Sequence, residues 1–102
     1  MQVLIRGGGD LASGVAVRLH RSGFDVLITE LPRPLVVRRP VSFAEAVSRG
    51  SIEIEGVVGM LINSPQDIKD TLKSGNIPVL VDPELDCLKD VQPDVIVDAR
   101  ML

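Results

Sequence analysis

The sequence predicts an α/β domain with a doubly wound, mostly parallel sheet. Three observations predict it: apolar strand-like runs alternate with helical stretches, the apolar residues are aliphatic and often β-branched, and a glycine turn joins the first strand to the first helix. The 102 residues are 45% hydrophobic, with fifteen Val, eight Ile and twelve Leu against two Phe and no Trp or Tyr. Such a core suits parallel strands covered on both faces. The length fits one domain over residues 1–102.

Val3-Leu4-Ile5 is a short apolar run stopped by Gly7-Gly8-Gly9, which reads as a buried first strand ending in a tight turn. Ala12, Val15, Ala16 and Leu19 then recur at helical spacing and give one apolar face, closed before Gly23. Asp25 to Thr29 is the second strand, expected to lie parallel to the first because a helix joins them. Leu31 to Pro40 carries three prolines, which exclude a helix interior and a central strand. That segment reads as an ordered loop or an edge.

Ser42 and Glu45 fit a capping box opening a short helix that Gly50 closes. Ile52 to Glu55 alternates as a half-exposed strand, and Glu55-Gly56 turns it into Val57 to Ile62 as an extra β-hairpin. Ser64 as N-cap, Pro65 at the first helical position, Lys73 near the end and Gly75 beyond it mark another helix. Pro78 to Val81 and Asp94 to Val97 are further strands. The stretch between them, around Leu85 to Val91, is helical at most.

Charge narrows the function classes. The formal net charge is −3, and the lack of aromatic stacking platforms argues against a nucleic-acid partner. Residues 1–50 carry +3 and residues 51–102 carry −6, so an anion site is expected in the first half. Cys87 is the only cysteine and His20 the only histidine, so neither a disulfide within the chain nor a cysteine or histidine metal cluster is expected. No apolar run is long enough for a membrane span and the N-terminus lacks a secretory pattern, which makes the cytoplasm the expected location.

Gly7, Gly9 and Ala12 satisfy G-x-G-x-x-[G/A] between a strand and a helix, the pattern of a Rossmann-like nucleotide-binding domain. The first glycine makes the turn, the second lets a pyrophosphate approach the backbone, and a small third residue lets helix pack on strand. Gly7, Gly8, Gly9, Asp10, Leu11 and Ala12 are therefore candidate cofactor-binding residues, with the amides of Gly7 to Gly9 and Leu11 at the phosphates. Glu30 ends the second strand, where an acid accepts hydrogen bonds from an adenosine ribose and favours NAD. Arg33, three residues on, could instead meet the 2′-phosphate of NADP. NAD, NADP or another adenine nucleotide is the expected cofactor, opposed by one feature: an inward-facing Asp10 would cap the helix itself and repel phosphate.

Arg33, Arg38 and Arg39 place three positive charges after the second strand, where an anionic ligand or acidic protein could bind and where a solvated loop is the alternative. Asp82 and Asp98 follow predicted strands and are the available acids, against readings as a turn residue and as the partner of Arg100. His20 reads as a surface residue near a helix end, and Cys87 as a small apolar one. No catalytic group is assignable, and the oligomeric state stays open, a homo-oligomer included.

The combination of V-L-I-R-G-G-G-D-L-A-S-G-V-A-V-R-L (3–19), I-T-E-L-P-R-P-L-V-V-R-R-P-V-S-F-A-E-A-V (28–47), I-P-V-L-V-D-P (77–83) and D-V-I-V-D-A-R-M (94–101) resembles the YqeB family of the selenium-dependent molybdenum hydroxylase system. The resemblance spans nearly the whole chain but only the N-terminal part of the family. It implies a Rossmann-like nucleotide-binding region and a cytoplasmic accessory role in maturing a selenium-containing molybdenum hydroxylase. The G-G-G-D turn is also similar to that of the NAD-dependent dehydrogenase that makes sirohaem, a likeness of fold only. An accessory nucleotide-binding protein is the leading expectation. An NAD(P)-dependent dehydrogenase and a nucleotide-free interaction module are the alternatives.

Overall fold

The computed structural model describes residues 1–32 and 42–100, and of Asp10 the backbone alone. Arg33, Arg38 and Arg39, with most of the proline-rich loop, lie outside the described residues. The chain runs β1 (Gln2–Arg6), α1 (Asp10–Arg21), β2 (Asp25–Glu30), α2 (Ala46–Arg49), β3 (Ser51–Ile54), β4 (Val57–Ile62), α3 (Ile68–Lys73), β5 (Ile77–Val81) and β6 (Val95–Asp98). Short 3₁₀ turns precede α2 and α3, and another spans Asp86–Lys89. The result is a mixed α/β domain built on one six-stranded sheet of order β3-β4-β5-β2-β1-β6. Among the described residues only β3 against β4 is antiparallel.

Alternation along the strands sorts the core into two layers, because successive side chains leave a strand on opposite faces. Val3, Ile5, Val26, Ile28, Ile77 and Val79 meet Ala12, Ala16 and Val17 of α1 and Phe43 and Ala46 around α2. Leu4, Leu27, Ile62 and Leu80 meet Ile68 of α3 and Cys87 of the last 3₁₀ turn. Both faces of the central strands are covered, which is why their sequences read as unbroken apolar runs.

The β3–β4 hairpin forms as expected, with Ile54 paired to Val57 across the two-residue loop. Glu55 at φ +50° and Gly56 at φ +83° give both central residues the left-handed backbone of a type I′ turn, which matches strand twist. The α3 signals also hold: Ser64 Oγ accepts the Gln66 N–H at 3.2 Å, Pro65 opens the first turn, and Gly75 leaves it at φ +86°. Among the described residues no helix is long and apolar enough to cross a membrane.

Two expectations change. In α1 the buried face is Ala12, Ser13, Ala16 and Val17, whereas Val15 is 43% exposed; the stripe is turned because Ser13 is drawn under the glycine turn by its hydrogen bonds. The Ser42–Glu45 capping box does not form. The Glu45 N–H instead donates to the Ser42 carbonyl at 3.1 Å in 3₁₀ geometry, and the buried Ser42 Oγ has no partner among the described residues. In the sheet, β5 lies beside β2, in the place that the third strand takes in the dinucleotide-binding order.

Candidate functional site

From β1 the chain proceeds to β2 on one side, whereas β6 returns to the other side of β1. Ligands of open α/β sheets bind outside the carboxyl ends of the strands where the order reverses in this way. The glycine turn stands at that point, between β1 and α1. An opening of about 490 Å³, continuous with solvent, lies there between Gly7, Gly9, Glu30, Leu31, Ala44 and the Ala99–Arg100 backbone.

Gly7 and Gly8 are needed for different reasons. Gly7 has φ +102°, and a Cβ on it would stand 3.2 Å from the backbone of Ala99 and Arg100. A Cβ on Gly8 would stand 3.1 Å from the Ala44 nitrogen and from Ile28 Cγ2. Gly9 is extended and is the N-cap of α1, with no side chain capping the helix from that position. Its carbonyl accepts the Ser13 N–H at 2.8 Å, while its own N–H meets no acceptor among the described residues. Ala12 is buried, so α1 sits close to the sheet as a small residue permits.

The turn is braced from three directions. The Gly7 N–H donates to the Thr29 carbonyl at 2.8 Å, which fixes the turn to β2. The Gly8 N–H donates to Glu30 Oε2 at 2.6 Å, and the other carboxylate oxygen accepts the Leu31 N–H at 2.9 Å. The Gly8 carbonyl accepts both the Ala44 N–H at 2.8 Å and the Ser13 hydroxyl at 3.1 Å. Ser13 Oγ in turn accepts the Phe43 N–H at 2.9 Å. One buried hydroxyl therefore ties the turn, α1 and the segment entering α2 together.

Gly7, Gly9 and Glu30, separated by up to 23 positions in the chain, are thus brought to one opening, with Gly8 bonded to Glu30 beside it and Ala12 buried in the core. Leu11 stands on the first turn of α1 with its side chain 62% exposed. The Asp10 backbone opens that helix, and its side chain lies outside the described residues, as does Arg33. Ser13 and Ala44 were not expected at the site. A buried serine one helical turn beyond a glycine run is the signal that could have found the first; nothing in the sequence marks the second.

The acids beyond the turn hold structural positions. Burial pushes the Asp82 carboxyl up, but hydrogen bonding from the Cys87 side chain and the backbone N–H groups of Cys87 and Asp86 outweighs it and holds the group below its ordinary 3.8. Both of its oxygens accept those N–H groups at 2.8 Å, so Asp82 caps the 3₁₀ turn. Asp98 binds the Arg100 guanidinium at 2.8 and 2.6 Å, and those bonds hold its carboxyl down at about 2. Burial, followed by the bond to Asp82, pushes the Cys87 thiol up to about 12. Arg6 lies beside Thr29 on the same sheet face and donates to the Pro83 carbonyl at 2.7 Å. Among the described residues no three His, Cys, Asp or Glu groups cluster as metal ligands.

The chain is 44% identical over 97 residues to a protein of Escherichia coli (strain K12) described as uncharacterized protein YqeB. The match takes in 95% of this chain and 18% of that relative, so the chain spans under a fifth of its length. No family model matches the chain, and no solved structure matches it.

Proposed function

We propose that this chain is a Rossmann-like nucleotide-binding region of a YqeB protein, serving an accessory role in the selenium-dependent molybdenum hydroxylase system and taking NAD, NADP or another adenine nucleotide. One observation carries the binding part: Glu30, at the end of β2, meets Gly8 of the turn after β1 at 2.6 Å, within the opening at the strand-order reversal. Phosphate would approach Gly9, whose N–H is unengaged among the described residues, where the α1 dipole favours negative charge. Glu30 has used one acceptor site on each oxygen, and a carboxylate offers about four, so it can still receive ribose hydroxyls. A small recess lined by Glu30, Leu31, Pro83 and Arg6 lies at the same end of the sheet, and a base would lie against it. The accessory role rests on the resemblance of the R-G-G-G-D-L-A-S-G and E-L-P-R-P-L-V-V-R-R segments.

Calorimetry with NAD, NADP and ATP tests this reading. Binding that Gly9→Val abolishes is the expected result, and equal heats for parent and variant would sink it. A second reading, a nucleotide-free interaction module, is favoured by one fact: both Glu30 oxygens already brace the backbone. It predicts no heat with any nucleotide. The dehydrogenase reading has less support, because Asp82 and Asp98 are occupied as a turn cap and an ion-pair partner. Turnover of NADH or NADPH with an acceptor, lost in Gly9→Val, would restore it.

A further inference from the structure

β6 closes its side of the sheet, pairing with β1 and with no other strand among the described residues. Three of its four residues are apolar, and Val95 and Ile96, which leave the strand on opposite faces, are 43% and 48% exposed. Protein edges are ordinarily blunted by charge, proline, a bulge or a covering element. At the opposite edge β3 follows that rule, alternating apolar residues with the exposed Ser51 and Glu53. β6 does not: its only charges stand at Asp94, just before it, and Asp98, its last residue.

We propose that β6 is the docking edge for a further β-strand with apolar side chains on both faces, supplied by polypeptide that YqeB proteins carry outside this stretch. The E. coli relative has more than four-fifths of its length outside the match, ample chain to supply such a strand. Size argues for a tethered occupant. A four-residue edge buries far less than the roughly 1,000 Å² of a free-standing interface, whereas a strand on the same polypeptide acts at an effective concentration on the order of mM. A second copy of this chain fits worse. Antiparallel pairing centred on Ile96, which aligns the three apolar residues, sets Asp94 against the partner copy's Asp98, and like charges directly opposite are destabilising. The proposal is independent of nucleotide binding.

Amide hydrogen exchange tests it, read as protection relative to intrinsic rates in whole E. coli YqeB and in this 102-residue chain. The strand corresponding to β6 is expected to be at least tenfold better protected in the whole protein. Lysine at the position matching Ile96 is expected to remove that protection there while the β1 and β2 amides, which report folding, stay protected. Ile96→Lys in the 102-residue chain is expected to leave β6 exchange unchanged. Equal protection of β6 in the two proteins would overturn the proposal, as would slow exchange in the short chain accompanied by a dimer mass.

Discussion

Replacing Glu30 with Ala removes the one side chain that, among the described residues, links the end of β2 to the glycine turn. Two backbone N–H groups lose their acceptor, and their surroundings decide the magnitude. The Leu31 N–H is exposed and turns to water at little cost, whereas the Gly8 N–H is partly buried and loses a 2.6 Å bond to a charged oxygen. Stranding a buried donor costs about 1–3 kcal/mol, which in a domain of this size lowers Tm by about 4–8 °C for each kcal/mol. A fall on the order of 10 °C is expected in a thermal scan followed by far-ultraviolet circular dichroism. Glu30→Gln keeps an acceptor oxygen without the charge and is expected to lose about half as much. A fall below about 2 °C for Glu30→Ala would refute the reasoning, since it would mean that the turn holds its shape without the carboxylate.

Gly59 of β4 lies under the fully buried Phe43, and a Cβ there would stand 2.5 Å from Phe43 Cδ1. Gly59→Ala is therefore expected to destabilise by about 1–3 kcal/mol in urea titration, as overpacking does; an unchanged midpoint would show that the ring moves freely. Glu55, at φ +50° in the hairpin turn, is expected to gain about 0.5–1 kcal/mol on replacement by Asn, which tolerates that backbone far better. The exposed Arg21–Glu55 pair it gives up, 3.7 Å apart, is worth little. Because the folded Asp82 carboxyl titrates below 3.8, its stabilising share is complete above about pH 4 and is lost as pH falls through the folded value. Asp82→Asn should flatten that acid limb of the stability–pH curve, and an unaltered limb would assign it to other acids. Cys87, buried with its thiol pushed up to about 12, is expected to react with a disulfide reagent at pH 8 only after denaturation. Prompt reaction of the native protein would contradict its burial.

Local chemistry in the sequence determined the α/β class, the β3–β4 hairpin through Glu55-Gly56, the helical stretch from Pro65 to Lys73 through Ser64, Pro65 and Gly75, and the junction of glycine turn and helix. Each depends on backbone preference or on periodicity within a few residues, and those signals survive without knowledge of the neighbours. The meeting of Glu30 with the turn was legible because parallel strands joined by one helix bring their carboxyl ends together. Only the tertiary structure decided what the polar groups do there. Asp82 and Asp98 stand at strand ends in either reading, and it took the distances to Asp86, Cys87 and Arg100 to make one a cap and the other an ion-pair partner. Ser13 acquired its role, and Ser42 lost its expected one, because hydrogen bonds in a packed interior go to the donors and acceptors that folding brings within reach. The place of β5 beside β2 likewise follows from long-range pairing, where many apolar strands are chemically alike and the loops and helices between them settle the order.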